Sequence, residues 1–157
     1  MAKKIEVNDK FPAFTLPDQD GNPVNLADEF GKPLVVYFYP KDDTPGCTKE
    51  ACSFRDQYEF FTDAGAKVFG ISSDSSASHR KFRAKHNLPF TLLSDKGNAA
   101  RKQVGVPGSL LGLLPGRVTY IIDPQGVVQQ IFNSQLDVVG HVTKAVDTIK
   151  AMNYSVN

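Results

Sequence analysis

Apolar and polar positions alternate in blocks that predict a mixed α/β chain. The run PLVVYFYP, Pro33 to Pro40, is continuously apolar, β-branched and aromatic. That is the pattern of a central strand buried on both faces. Before it, Thr15 to Leu26 reads as a hairpin that turns at Asp20-Gly21-Asn22. After it, Ala51, Phe54, Tyr58 and Phe61 recur at helical spacing, and Gly65 is a natural stop. AKVFGISSD reads as a second buried strand. SASHRKFRAKHN, from near Ser76, reads as a charged surface helix. FTLLSD is a short strand, with a short helix near Asn98 to Gln103 behind it. RVTYIIDPQGVVQQIFN reads as two strands joined by a Pro-Gln-Gly turn, and DVVGHVTKAVDTIKAM as a last helix.

The order strand, helix, strand, helix, strand implies parallel pairing through right-handed crossovers. The closing hairpin adds antiparallel strands, so the sheet is expected to be mixed. The expectation is an α/β, thioredoxin-like fold: a mixed central sheet flanked by helices, with an N-terminal hairpin extension. No repeat, low-complexity tract or linker divides the chain, so residues 1–157 are expected to form a single domain.

Composition changes this picture little. The chain has 157 residues, enough for one full core, with 41% apolar and 22% charged residues. A net charge of +1 gives no field that calls for nucleic acid or an anionic membrane. No apolar run approaches the roughly 20 residues that span a bilayer. The N-terminus MAKKIEVNDKFP lacks an apolar signal core and is too short and acidic for a transit peptide. A cytoplasmic location is therefore expected, with a processed chloroplast chain as the alternative.

The two cysteines change the picture most. With no secretion signal, Cys47 and Cys52 point to metal or redox chemistry rather than to a structural disulfide. Thr44-Pro45 is the best helix start in the region, with Thr as N-cap and Pro in the first position. Cys47 then sits in the first turn. Unpaired amides and the positive end of the helix dipole meet its sulfur there. Both favour the thiolate, so its pKa is expected below the free value of about 8.5. The Thr44 hydroxyl is within reach of the sulfur or of a ligand beside it.

Five residues turn a helix by about 500°, which leaves the two thiols some 140° apart. Cys47 falls on the apolar stripe and Cys52 on the polar one with Asp56, Glu59 and Asp63. Their Cα atoms would lie roughly 8.5 Å apart, beyond the limit of about 7 Å for a disulfide. The bond requires the first turns to unwind. This reads as a two-step cycle in which Cys47 attacks an electrophile and Cys52 resolves the product, from thiolate to sulfenic acid to disulfide.

Pro40-Lys41-Asp42-Asp43-Thr44-Pro45-Gly46-Cys47 matches the peroxiredoxin motif of Pro, three residues, Thr, two residues, Cys. YFYPKDDTPGCTKEAC, with its second Cys five residues on, resembles the peroxiredoxin Q or bacterioferritin-comigratory-protein subfamily. GISSDSSASHRKF, LPFTLLSDKGN and LPGRVTYIID extend the likeness over nearly the whole chain, in wording similar to the plastid and photosynthetic-bacterial branch. The resemblance implies a thiol-dependent peroxidase that reduces hydrogen peroxide and alkyl hydroperoxides. By it, Cys47 is the peroxidatic and Cys52 the resolving cysteine. Thr44 hydrogen-bonds peroxide and thiolate, Pro40 shields the site from water, and Arg117 is the active-site arginine, a permanent cation beside the sulfur. It further implies no cofactor and no metal, electrons from thioredoxin or a similar dithiol protein, and a monomer.

Other residues receive blander readings. His79 and His86, seven apart, read as a solvated helix face, since neither they nor the cysteines have zinc-site spacing. His141 reads as a surface residue. Tyr37, Phe38 and Tyr39 read as sandwiched core, and Asp42 and Asp43 as complements to the helix dipole. VPGSLLGLLPGR, Val106 to Arg117, reads as an irregular connection or an apolar wall beside the site. A thioredoxin-type disulfide exchanger would place two residues between its cysteines, and here there are four.

Overall fold

A computed structural model describes residues 4–108 and 115–156. The hairpin is present as β1 (Thr15–Pro17) and β2 (Pro23–Asn25), paired antiparallel. The chain continues through β3 (Leu34–Phe38), α1 (Pro45–Asp56), α2 (Tyr58–Asp63), β4 (Lys67–Ser72), α3 (Ser76–Lys85) and β5 (Thr91–Ser94). It closes with α4 (Ala99–Val104), β6 (Val118–Ile122), β7 (Val128–Asn133) and α5 (Val138–Val156). The five-stranded sheet has the order β5-β4-β3-β6-β7. β3 runs parallel to β4 and antiparallel to β6, so the sheet is mixed, as its connections dictate.

β3 is fully buried because helices and loops cover both of its faces, and its side chains divide with period two. Val35, Tyr37 and Tyr39 pack with Ala51 and Phe54 of α1, Phe82 of α3, and Val142, Ala145 and Ile149 of α5. Leu34, Val36 and Phe38 pack on the other face with Phe11, Leu16, Leu26, and Ala100 and Val104 of α4. The Tyr37 ring stacks on Phe54 with centroids 4.6 Å apart. Its place depends on Gly70 of β4, where a Cβ would come within 2.8 Å of the ring. Burying a side chain such as Phe54 contributes about 1.5–3 kcal/mol.

One expected helix is two. The apolar spacing from Ala51 to Phe61 is continuous, but the helix breaks at Gln57 (φ −102°, ψ 8°), whose N–H donates to Phe54 O. The break lets α1 lie along α5 while α2 packs against β4. Spacing alone reads one stripe where two packing partners require two axes.

Candidate active site

Thr44 is the N-cap of α1 and Pro45 follows it, as expected, with Thr44 extended (φ −96°, ψ 154°). The Thr44 hydroxyl does not cap a helix amide. It donates to Lys41 O at 3.0 Å, which leaves its oxygen lone pairs as acceptors. Pro40 is half-buried and lies two residues beyond the end of β3. Cys47 is 1% exposed and belongs to the core cluster of Tyr37 and Phe54. Cys52 is half-buried, and both thiols are unpaired. Both lie within the intact α1, whose ideal geometry keeps them apart.

Arg117 enters from the start of β6 and is 4% exposed. Its Nη1 donates to Glu50 Oε1 at 2.6 Å and its Nε to Gln135 O at 3.2 Å. The guanidinium packs over the first turn of α1, where a Cβ on Gly46 would meet Nη2 at 3.0 Å. Glycine at 46 therefore makes room for the cation. Burial pulls Arg117 down, but charge on Glu50 and Cys47, and hydrogen bonding to both, hold it above its ordinary value. One guanidinium thus serves two acids. Burial pushes Glu50 up to about 8 against the pull of Arg117, so the carboxyl competes less for the cation that faces Cys47.

Glu50 escapes the sequence reading, and so does its neighbour His141. His141 is expected on the surface, yet it is fully buried. Its Nε2 donates to Ser134 O at 2.7 Å, its Nδ1 lies 2.7 Å from Thr119 Oγ1, and Glu50 Oε2 is 3.6 Å from that nitrogen. Burial lowers its pKa. The available signal was spacing: 138, 141, 142, 145 and 149 share one helix face, and the others on it are Val138, Val142, Ala145 and Ile149.

The reading of His79 as solvated is likewise corrected: it is fully buried, while His86 is half-buried and packs edge-on against Phe82. Positions 79, 82 and 86 share a face of α3, and buried Phe82 turns that face inward. His79 Nε2 donates to Leu93 O at 2.9 Å, and Nδ1 lies 2.7 Å from Asp42 Oδ2. Asp42 also accepts from the Tyr39 hydroxyl at 2.6 Å and from Ser78 at 2.8 Å. Its own N–H donates to Asp74 at 2.8 Å. Asp42 is therefore a buried latch that ties the loop before Cys47 to α3 and, through His79, to β5, rather than a complement to the helix dipole. Asp43, at φ 60°, is exposed and pairs with Lys85 at 3.0 Å. Asp42, Asp74 and His79 bring possible metal ligands within 4.8 Å, but protein hydrogen bonds already engage those atoms. Tyr37, Phe38 and Tyr39 are core residues as expected. Half of the stretch Val106 to Arg117, residues 109–114 with its four leucines, lies outside the described residues.

The AhpC/TSA family profile matches residues 7–131. A chloroplastic peroxiredoxin Q of Sedum lineare is 56% identical over 141 residues, covering 90% of this chain and 76% of that protein. The peroxidoxin BcpB of Mycobacterium tuberculosis superposes with a TM-score of 0.86 at 37% identity, over 94% of this chain and 97% of that one. The bacterioferritin comigratory protein of Xanthomonas campestris superposes at 0.81 with 35% identity, over 88% and 91%. The Xanthomonas protein is described by its alkyl peroxide reduction activity. The chain belongs to the AhpC/TSA family and, within it, to the peroxiredoxin Q peroxidases.

Proposed function

We propose that Cys47 is the sulfur that reduces peroxide and that Cys52 resolves it. The observation that carries this reading is a buried thiol in the first turn of α1 beside Arg117, with a second thiol five residues on. In the first step the Cys47 thiolate attacks one peroxide oxygen. A sulfur–oxygen bond forms, the O–O bond breaks, and the leaving oxygen takes a proton to become water or an alcohol. The sulfur, oxidised by two electrons, is a sulfenic acid. Arg117 and the amides of α1 are preorganised for the charge that develops on the oxygens. Thr44 offers an acceptor to the peroxide proton, and Pro40 covers the approach from solvent.

In the second step Cys52 attacks the Cys47 sulfur. The disulfide forms, the S–O bond breaks, and water leaves with the proton of Cys52. An intact α1 forbids this contact, so the helix opens between the two residues. A dithiol protein of the thioredoxin type then returns two electrons by thiol–disulfide exchange. The Xanthomonas relative, described by its alkyl peroxide reduction activity, supports organic hydroperoxides as substrates beside hydrogen peroxide. The chain is read as a monomer. Among the described residues no helix is long and apolar enough to cross a membrane. The chloroplastic relative supports the plastid alternative over the cytoplasmic expectation.

The experiment is one equivalent of hydrogen peroxide added to the reduced chain, followed by thiol titration and peptide mass mapping. The expected result is loss of both thiols and a peptide pair joined through Cys47 and Cys52. Two surviving thiols overturn the assignment.

A further inference from the structure

The reactive cysteine is framed by two segments far apart in sequence: the end of β3, leading into Pro40, and the approach to β6, which carries Arg117. A single side chain bonds both. Arg101 of α4 donates from Nη1 to Gly116 O at 2.9 Å and from Nη2 to Tyr39 O at 3.2 Å. Those carbonyls belong to the residues immediately before Arg117 and Pro40. We propose that Arg101 is a positioning residue for the peroxide step, its planar fork fixing the spacing of Pro40 and Arg117 about Cys47. The inference rests on the roles given above to Cys47 and Arg117.

The fork is itself held in place. The Arg101 amide donates to Asp95 Oδ2 at 2.9 Å and the Ala100 amide to Oδ1 at 2.8 Å, so a buried carboxylate anchors the start of α4. The guanidinium carbon lies 5.5 Å from the centroid of the Phe38 ring. Desolvation lowers Arg101, opposed by charge on Asp95, Tyr120 and Cys47. A neutral amide side chain would serve two carbonyls without the cost of desolvating a cation. Arginine adds two features that such a side chain lacks: rigid, coplanar donors and a permanent positive charge on the Cys47 side. Arg117 meets the sulfur, and Arg101 holds the backbone from which Arg117 projects.

The test uses stopped-flow rates with the reduced full-length chain and hydrogen peroxide, beside the rate at which dithiothreitol reduces the oxidised chain. Arg101→Ala is expected to slow the peroxide step about 10- to 100-fold, the loss that small misplacements of reacting groups bring. The dithiothreitol step should stay unchanged. Arg101→Lys keeps the charge but not the fork, and is expected to remain slow. A folded Arg101→Ala chain with the wild-type peroxide rate overturns the proposal. So does an Arg101→Lys chain as fast as wild type, or an equal loss in both steps, which marks general destabilisation. If Arg101→Ala does not fold, Arg101→Lys decides by the same two rates. A wild-type chain inert to peroxide instead overturns the assignment of Cys47. Wild-type reactivity with an equally reactive Arg101→Ala overturns the role of Arg101 alone.

Discussion

Cys47 and Cys52 share one helix and almost nothing else. Cys47 is 1% exposed, packed in the core, with Arg117 over its turn and the Asp42 latch fixing the loop that precedes it. Cys52 is half-buried on the outward face, near exposed Lys49 and Asp56 in the helical order. Identical side chains thus receive different chemistry from their surroundings. In the proposed cycle the sulfur enclosed by fixed donors reacts with the small molecule. A sulfur outside that enclosure is free to act once the backbone moves.

The sharpest way to break this contrast is to remove each thiol in turn. Cys47→Ser should abolish peroxidase turnover, because no other group supplies the nucleophile. Cys52→Ser should keep the first step and accumulate a sulfenic acid on Cys47 that dimedone traps. Equal loss of the peroxide step in both variants would erase the distinction. Next in size is Arg117→Ala, which removes the guanidinium that hydrogen-bonds Cys47. The peroxide rate should fall about 10²- to 10³-fold, as when one preorganised donor is deleted. An unchanged stopped-flow rate would take Arg117 out of the site.

The latch tests whether the enclosure of Cys47 depends on its loop. His79→Ala leaves Asp42 buried without its ring partner, which costs about 3–5 kcal/mol in urea unfolding. Alkylation by iodoacetamide should then quicken at Cys47 more than at Cys52. An equal gain at both would show that the latch does not serve the Cys47 side in particular. The last effect concerns Glu50. Folding raises this acid to about 8, from about 4.3 in an unfolded chain. A raised acid stabilises the fold fully below its unfolded value and loses that contribution as pH climbs through its folded one. Stability should therefore decline from about pH 4 to about pH 8 on account of Glu50. Glu50→Gln should flatten that decline in melts across the same range.

Much of the fold was legible because its elements carry strong local signals. PLVVYFYP can be little other than a buried strand, and Thr44-Pro45 marks the start of α1 by chemistry that needs no tertiary context. The place of Cys47 in the first turn of α1 was legible for the same reason, since the start of a helix is a local feature. What escaped depends on which face of an element turns inward. His79, His141, Asp42 and Glu50 are polar residues buried among apolar ones, and a reading by residue type sends them to the surface. Helical spacing from Phe82 and Val138 would have recovered the two histidines. Arg101 left no comparable trace, because its importance lies in bonding two carbonyls from distant parts of the chain. The break at Gln57 was hidden because the two packing partners that draw the helices apart, α5 and β4, are set by the tertiary fold and leave no mark on the local apolar spacing.

The most direct measurement is amide hydrogen exchange of the reduced chain and of the Cys47–Cys52 disulfide form, read peptide by peptide. Exchange should quicken across the part of α1 that contains both cysteines, while α5 keeps its protection. An oxidised form whose α1 is as protected as in the reduced chain would contradict the claim that the two thiols meet only through its unwinding.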